Sequence, residues 1–420
     1  MKRGFLNSAK AHKAALSPEV VGNAAPAKGT AKISSSDTNP TIMKAPHRAL
    51  KNADKLCEYK GSESYGKSNI AALDGASLDH PATKTLWTTI PGRNFDIESH
   101  SAVERLDQWT EAIVDGATKA EIFNQPGFPL PIERPGPPVH RIAPAGPGKG
   151  LGVFATRDLK MGDLIIAERP LLVVPLAIPE VHGLPAHITL DQQILVRIVE
   201  WEKGLELLVS RMLPDRRDAF IKLANSHQED GSGPILGRIR TNGIGVGGLR
   251  YQGKMGPEGH FSATCELISR VNHSCSPNAR YGFNKPTFSA CLRAVRDIKR
   301  GEEITITYAA LSVPSAERQK QLAPYGFTCT CPACTGGQDA DARRAMIPSS
   351  LSPALRRGSA EQLLDLIALI EREGLQYLPV YMDALKALTE KFLAQGAFSQ
   401  CEVYMKKIKQ CLPLATDGNE

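Results

Sequence analysis

The chain contains no run of about 18 apolar residues, so no segment has the length and character of a membrane-crossing helix. Met1, Lys2 and Arg3 pass into Gly, Asn and Ser without the apolar stretch of a secretory leader, and secretion is not expected. The nine cysteines, an odd count, form no evenly spaced framework, which argues against a disulfide-stapled scaffold; none lies between Cys57 and Cys265. Net charge is scarce too, once its position is considered. Of the formal +7, residues 1–50 carry +6 (8 Lys+Arg, 2 Asp+Glu), leaving 43 basic against 42 acidic residues elsewhere. No folded part is strongly basic, which removes the usual footprint of a nucleic-acid-binding domain. What remains is a weak contact between the tail and an acidic partner.

What is present suffices for a sizeable core: 42% of 420 residues are hydrophobic. Residues 1–95 are rich in Ala, Ser, Lys, Asn, Gly and Pro without sustained periodicity, the composition of a disordered basic tail. Residues 96–138 read as a helix and a connector. Ala102, Val103, Leu106, Trp109 and Ile113 have helical spacing up to about Phe123, and five prolines from Pro129 to Pro138 then forbid regular structure. Short β-like runs follow at 151–155, 164–167 and 171–175. Ile194, Leu195, Ile198, Trp201, Leu205, Leu208 and Met212 predict a helical insert within about 185–235, and the glycines from Gly231 to Gly248 predict loops. Strands resume at 279–283, 287–293 and 304–308, with Arg300-Gly301 as a hairpin-like turn. The stretch 350–415 reads as three amphipathic helices, the first two stopping at Gly374 and Gly396. The class is α+β.

Two familiar glycine patterns fail on context. Gly150-Leu-Gly152-Val-Phe-Ala155 has the wording of a dinucleotide-binding turn, but prolines precede it and an extended segment follows, where that motif needs a strand and then a helix. Gly148-Lys149-Gly150 lacks the Lys-Ser/Thr ending of a phosphate loop. Cys329, Cys331 and Cys334 are more informative, because three thiolates from one tight loop suit a tetrahedral zinc ion that still needs a fourth ligand. Three reduced loop cysteines are the alternative.

Four segments occur in order: Gly148-Lys-Gly-Leu-Gly-Val-Phe-Ala155, Arg270-Val-Asn-His-Ser-Cys-Ser-Pro-Asn278, Gly301-Glu-Glu-Ile-Thr-Ile-Thr-Tyr308, and Tyr325-Gly-Phe-Thr-Cys-Thr-Cys-Pro-Ala-Cys334. Together they resemble the SET-domain protein-lysine methyltransferases over roughly residues 139–335. Thr241-Asn-Gly-Ile244, the cysteine tail and the helical C-terminus resemble the SMYD-like group within that family. That group carries a MYND zinc finger inside its SET domain, and the cysteine gap leaves none here.

The resemblance implies an irregular β-rich SET domain at 139–312, with the Asn-His-Ser-Cys segment tucked beneath the C-terminal segment in a pseudoknot, and a post-SET zinc loop at 313–340. It implies S-adenosylmethionine as methyl donor, contacted by Lys149, Gly150, Leu151, Asn272, His273, Tyr325 and Phe327. Tyr308 takes the place of the catalytic tyrosine, Asn242 and Gly243 line the lysine channel with it, and Cys275 completes a zinc site with Cys329, Cys331 and Cys334. The partner implied is a protein substrate with a target lysine, met by a monomer in the nucleus or cytoplasm. A SET-fold interaction module without catalysis is the alternative. Glu302 and Glu303, beside a turn, read as solvated or salt-bridged.

Overall fold

The computed structural model describes residues 77–92 and 108–416, except 135, 180, 182, 183, 185 and 186. The strands are β1 (Thr85–Ile90), β2 (Thr110–Asp115), β3 (His140–Pro144), β4 (Leu151–Ala155), β5 (Leu164–Glu168), β6 (Leu172–Pro175), β7 (Ile244–Val246), β8 (Phe261–Thr264), β9 (Asn272–His273), β10 (Ala279–Asn284), β11 (Ser289–Ala294) and β12 (Glu303–Ile306). The helices are α1 (Gly116–Phe123), α2 (Leu190–Ser210), α3 (Pro214–Ile221), α4 (Pro234–Asn242), α5 (Ser315–Leu322), α6 (Pro332–Thr335), α7 (Gly337–Ala345), α8 (Pro353–Arg357), α9 (Ala360–Glu373), α10 (Pro379–Ala394) and α11 (Phe398–Thr416). Among the described residues these strands form three small sheets, in the orders β1-β2-β6-β8-β7, β10-β11-β5 and β3-β4-β12-β9.

Strands β5 and β6 are buried along their whole length, as their continuous apolar runs require when both faces are covered. One core cluster runs from Val153, Ile304 and Tyr308 in the sheets to Leu363, Leu385 and Cys411 in the C-terminal helices, so those helices share the interior of the strands. A second cluster, with Trp87, Ile113, Leu172, Trp201 and Phe220, lies beneath α2–α4.

Four expectations need correction. The helix drawn from Ala102 to Phe123 is a buried strand, β2, followed by only eight helical residues. Trp109 and Ile113 are four apart, but β2 is covered on both faces, so the alternation that would have betrayed a strand is missing. Asp115 marks the change of state: its side chain accepts from the Thr118 N–H and caps α1. Residues 101–107 lie outside the described residues.

The expected tail, 1–95, includes β1, paired with β2 over all six residues. Leu86, Trp87 and Ile90 are buried there, held by pairing with a distant segment that local composition cannot reveal. Residues 1–76 and 93–95 of that tail lie outside the described residues.

The glycine-rich stretch 231–248 holds α4 and β7. Helix α4 starts at Pro234 without a local cap; Glu202 of α2 accepts instead from the N–H groups of Ile235 (2.7 Å) and Leu236 (2.8 Å). Finally, Arg300-Gly301 is a turn but joins no hairpin, since β11 and β12 lie in different sheets. Strand β12 runs antiparallel to β4 and parallel to β9, with Thr305 opposite Asn272 and Ile306 opposite His273.

Candidate active site

The parallel pairing of β9 and β12 brings three of the four sequence segments to one place. The β3–β4 turn supplies the first. Ala145 N–H donates to the Gly150 carbonyl at 2.8 Å, and Gly146, Gly148 and Gly150 take φ of +96°, +72° and +62°, a conformation that a Cβ disfavours. Asn272 on β9 donates its amide to the Leu151 carbonyl (3.2 Å) and to Glu303 Oε1 (2.7 Å), and the Lys149 ammonium lies 4.0 Å from Glu303 Oε2. Glu303 thus ties the turn to the strand pair. A Cβ at Gly152 would lie 2.6 Å from Glu303 Oε1 and 3.0 Å from Asn272 Nδ2, so the glycine makes room for this junction.

A cavity of about 590 Å³ opens beside it, with Gly148, Lys149, Asn272, His273, Tyr308 and Phe327 in its walls. A second, narrow cavity of about 10 Å³ is lined by Asn242, Gly243, Val271, Tyr308 and Tyr325. Tyr308 belongs to both. Its hydroxyl donates to the Val271 carbonyl, its backbone N–H donates to His273 Nδ1 at 2.9 Å, and Tyr325 stacks on its ring at 4.8 Å. With Nδ1 accepting, the His273 hydrogen sits on Nε2, 3.3 Å from Cys275 Sγ. Burial pushes His273 down to about 4, which keeps the ring neutral near pH 7.

The large cavity therefore gathers Lys149, Asn272, His273 and Phe327 but not Gly150, Leu151 or Tyr325. Gly150 shapes the turn, Leu151 offers its carbonyl to Asn272, and Tyr325 stands on the narrow side of Tyr308. Asn242 and Gly243 do meet Tyr308, yet the Asn242 amide is spent on the Ala224 and Arg238 carbonyls. Asn278, which the sequence reading left without a role, accepts from Thr305 N–H and donates to the Glu303 carbonyl, stapling β12. Its place at the end of the Asn-His-Ser-Cys segment was the available signal.

The fourth segment forms the floor. The sulfur atoms of Cys275, Cys329, Cys331 and Cys334 all lie within 4.8 Å of one another, with Cys275 4.0 Å from Cys329 and 3.5 Å from Cys334. Ligands at zinc–sulfur distance on a tetrahedron stand about 3.8 Å apart, so this donor set fits a zinc ion. Hydrogen bonds from Cys275 and Cys329 push the Cys331 thiol well below its usual range, while the neighbouring thiols push Cys275 well above it. Arg318, absent from the sequence reading, lies 3.9 Å from Cys334 Sγ and donates to the Ala333 carbonyl, and Gln319 bonds both backbone groups of Cys329.

Residues 150–309 match the SET domain family model. The histone-lysine N-methyltransferase set5 of Schizosaccharomyces pombe is 30% identical over 202 residues, 47% of this chain and 50% of that protein. The human histone-lysine N-methyltransferase SMYD3 is 51% identical over 76 residues, 18% of this chain and 17% of that protein. The Arabidopsis thaliana histone-lysine N-methyltransferase ATXR2 is 44% identical over 71 residues, 16% and 15% of the two chains. The chain thus spans half of set5 and less than a fifth of the other two. Within a mixed α/β fold, residues 150–309 thus match the SET domain, and the chain has homologues among methyltransferases of the set5 and SMYD type.

Proposed function

We propose that the protein transfers a methyl group from S-adenosylmethionine to the ε-amine of a lysine in a protein substrate. The observation that carries this is Tyr308, which belongs to the walls of a wide cavity of mixed polarity and a narrow, mostly apolar one. Methyl transfer needs an electrophilic carbon and a neutral amine aligned from opposite sides, and a tyrosine between two cavities is placed to serve both.

S-adenosylmethionine supplies the methyl carbon on a sulfonium sulfur. Lys149, Asn272, His273 and Phe327 are the residues we assign to its cavity, with Gly150 and Leu151 shaping the turn beside it and Tyr325 supporting Tyr308. The charges there, Lys149 and Glu303, suit the two ends of an amino acid. A lysine amine has an unperturbed pKa near 10.4, and entering a narrow apolar passage disfavours its charged form. The Tyr308 hydroxyl, held in place by its hydrogen bond to the Val271 carbonyl, is the group we assign to orienting that amine. Asn242 and Gly243 form the facing wall.

The four cysteines fit zinc, which would make 313–340 a post-SET loop stapled to Cys275, and the parallel β9–β12 crossing corresponds to the family's pseudoknot within 139–312. The names of set5 and SMYD3 make histones the first substrates to try, and with them a nuclear site of action. Incubation with methyl-labelled cofactor and a histone mixture tests the proposal. Label should appear on lysine and fall about 100-fold or more in Tyr308→Phe, with cofactor binding retained. Cofactor binding without transfer to any protein in a whole-cell extract would move the assignment to an interaction module.

A further inference from the structure

The main chain behind the cysteine cluster is held by a residue from the C-terminal helices. Arg344 of α7 is 5% exposed, and its guanidinium makes four hydrogen bonds. One goes to the Cys275 carbonyl (2.9 Å), one to Ser276 Oγ (2.7 Å), and two to Glu373, the last residue of α9, at its carbonyl (2.8 Å) and Oε2 (3.2 Å). Arg343 takes the other Glu373 oxygen at 2.6 Å, and Ser276 Oγ donates to the Glu373 carbonyl at 2.8 Å. Next to it Gly374 is left-handed, and a Cβ there would stand 2.8 Å from Ser276 Cβ.

Burying an arginine and a glutamate gains little stability over an apolar pair of the same size, so this cluster is better understood as fixing a geometry. What it fixes is specific. Cys275 contributes one sulfur to the four-thiol cluster, and Ser276 lines the large cavity. We propose that Arg344 is a positioning residue: through it the C-terminal helices hold the Cys275–Ser276 backbone, and with it one metal-ligand position and one wall of the cofactor cavity. The identity of the cavity's ligand rests on the methyl-transfer proposal; the positioning role does not.

The test uses the full chain as purified with zinc. Arg344→Lys keeps the charge but cannot reproduce the planar fork. It is expected to raise KM for S-adenosylmethionine about tenfold with kcat within about twofold, and to speed zinc release to a chelator by a similar factor. Ser276→Ala, a smaller change, should give a lesser KM increase, and the double variant should lose less than the product of the two. Wild-type KM and zinc release in Arg344→Lys, or strict multiplicativity, overturns the proposal. Should Arg344→Lys fail to fold, the cycle of Ser276→Ala with Glu373→Gln decides in the same way. Absence of cofactor binding by the wild type refutes the cavity assignment alone, and the zinc-release comparison still judges Arg344.

Discussion

Glu168 is fully buried, and its carboxylate accepts from the backbone N–H groups of Glu266, Leu267 and Ile268, which lead into the Asn-His-Ser-Cys segment. Burial nevertheless dominates and pushes it up to about 7. A carboxyl whose folded pKa exceeds its unfolded one holds its proton more tightly when folded. Its contribution to stability is complete below about 4.5 and is lost as the pH rises through about 7. Urea denaturation should therefore show stability declining between pH 5 and 8, by on the order of 1–3 kcal/mol, with a flatter profile in Glu168→Gln. An identical slope in both proteins would refute it. At Gly152 the added methyl of Gly152→Ala must displace the Glu303 carboxylate and the Asn272 amide. Cofactor affinity is expected to fall about tenfold with an unchanged circular dichroism spectrum, as calorimetry would measure. Tyr308, Asn272 and the four cysteines could be singled out from sequence because each sits in a short ordered motif. Glu303 was visible but undervalued, since its partner Lys149 lies 154 positions away and only folding makes them neighbours.

Strand β1 is the element whose importance composition hides most. The Trp87 indole is buried and donates to the Gly204 carbonyl of α2 at 3.0 Å, while Thr89 and Arg211 both bond the buried Glu111 of β2. Trp87→Ala should cost about 3–5 kcal/mol in equilibrium unfolding, because it empties a large core site and removes a link between sheet and insert. A cost under about 1 kcal/mol would mean that β1 is dispensable. The helices were easier to read than the strands. Helix α9 has a complete local signal, with the Ser359–Gln362 capping box at its start and left-handed Gly374 at its end. Helix α4 was missed because its N-terminal partner, Glu202, belongs to another helix. Strands β1 and β2 were missed for a related reason: their identity comes from pairing with each other and from the parallel contact of β2 with β6.

For the whole molecule, the four-thiol cluster and the shared core predict that metal and fold stand together. One zinc per chain is expected by elemental analysis, and its removal by a chelator should lower the melting temperature by several degrees and abolish methyl transfer. Unchanged melting after complete removal would make the cluster incidental. The order of the motifs announced the β-rich centre, the insert and the helical C-terminus, but not that strands and C-terminal helices have a common interior. The sheet β1-β2-β6-β8-β7 draws on residues 85–264, and the Cys275 carbonyl is held by Arg344. Such high contact order makes for slow folding. During synthesis on the ribosome, the nascent chain must carry its half-built cavity until residues 344 to 373 have emerged. A chain released after residue 312 should accordingly be degraded by protease where the full chain resists.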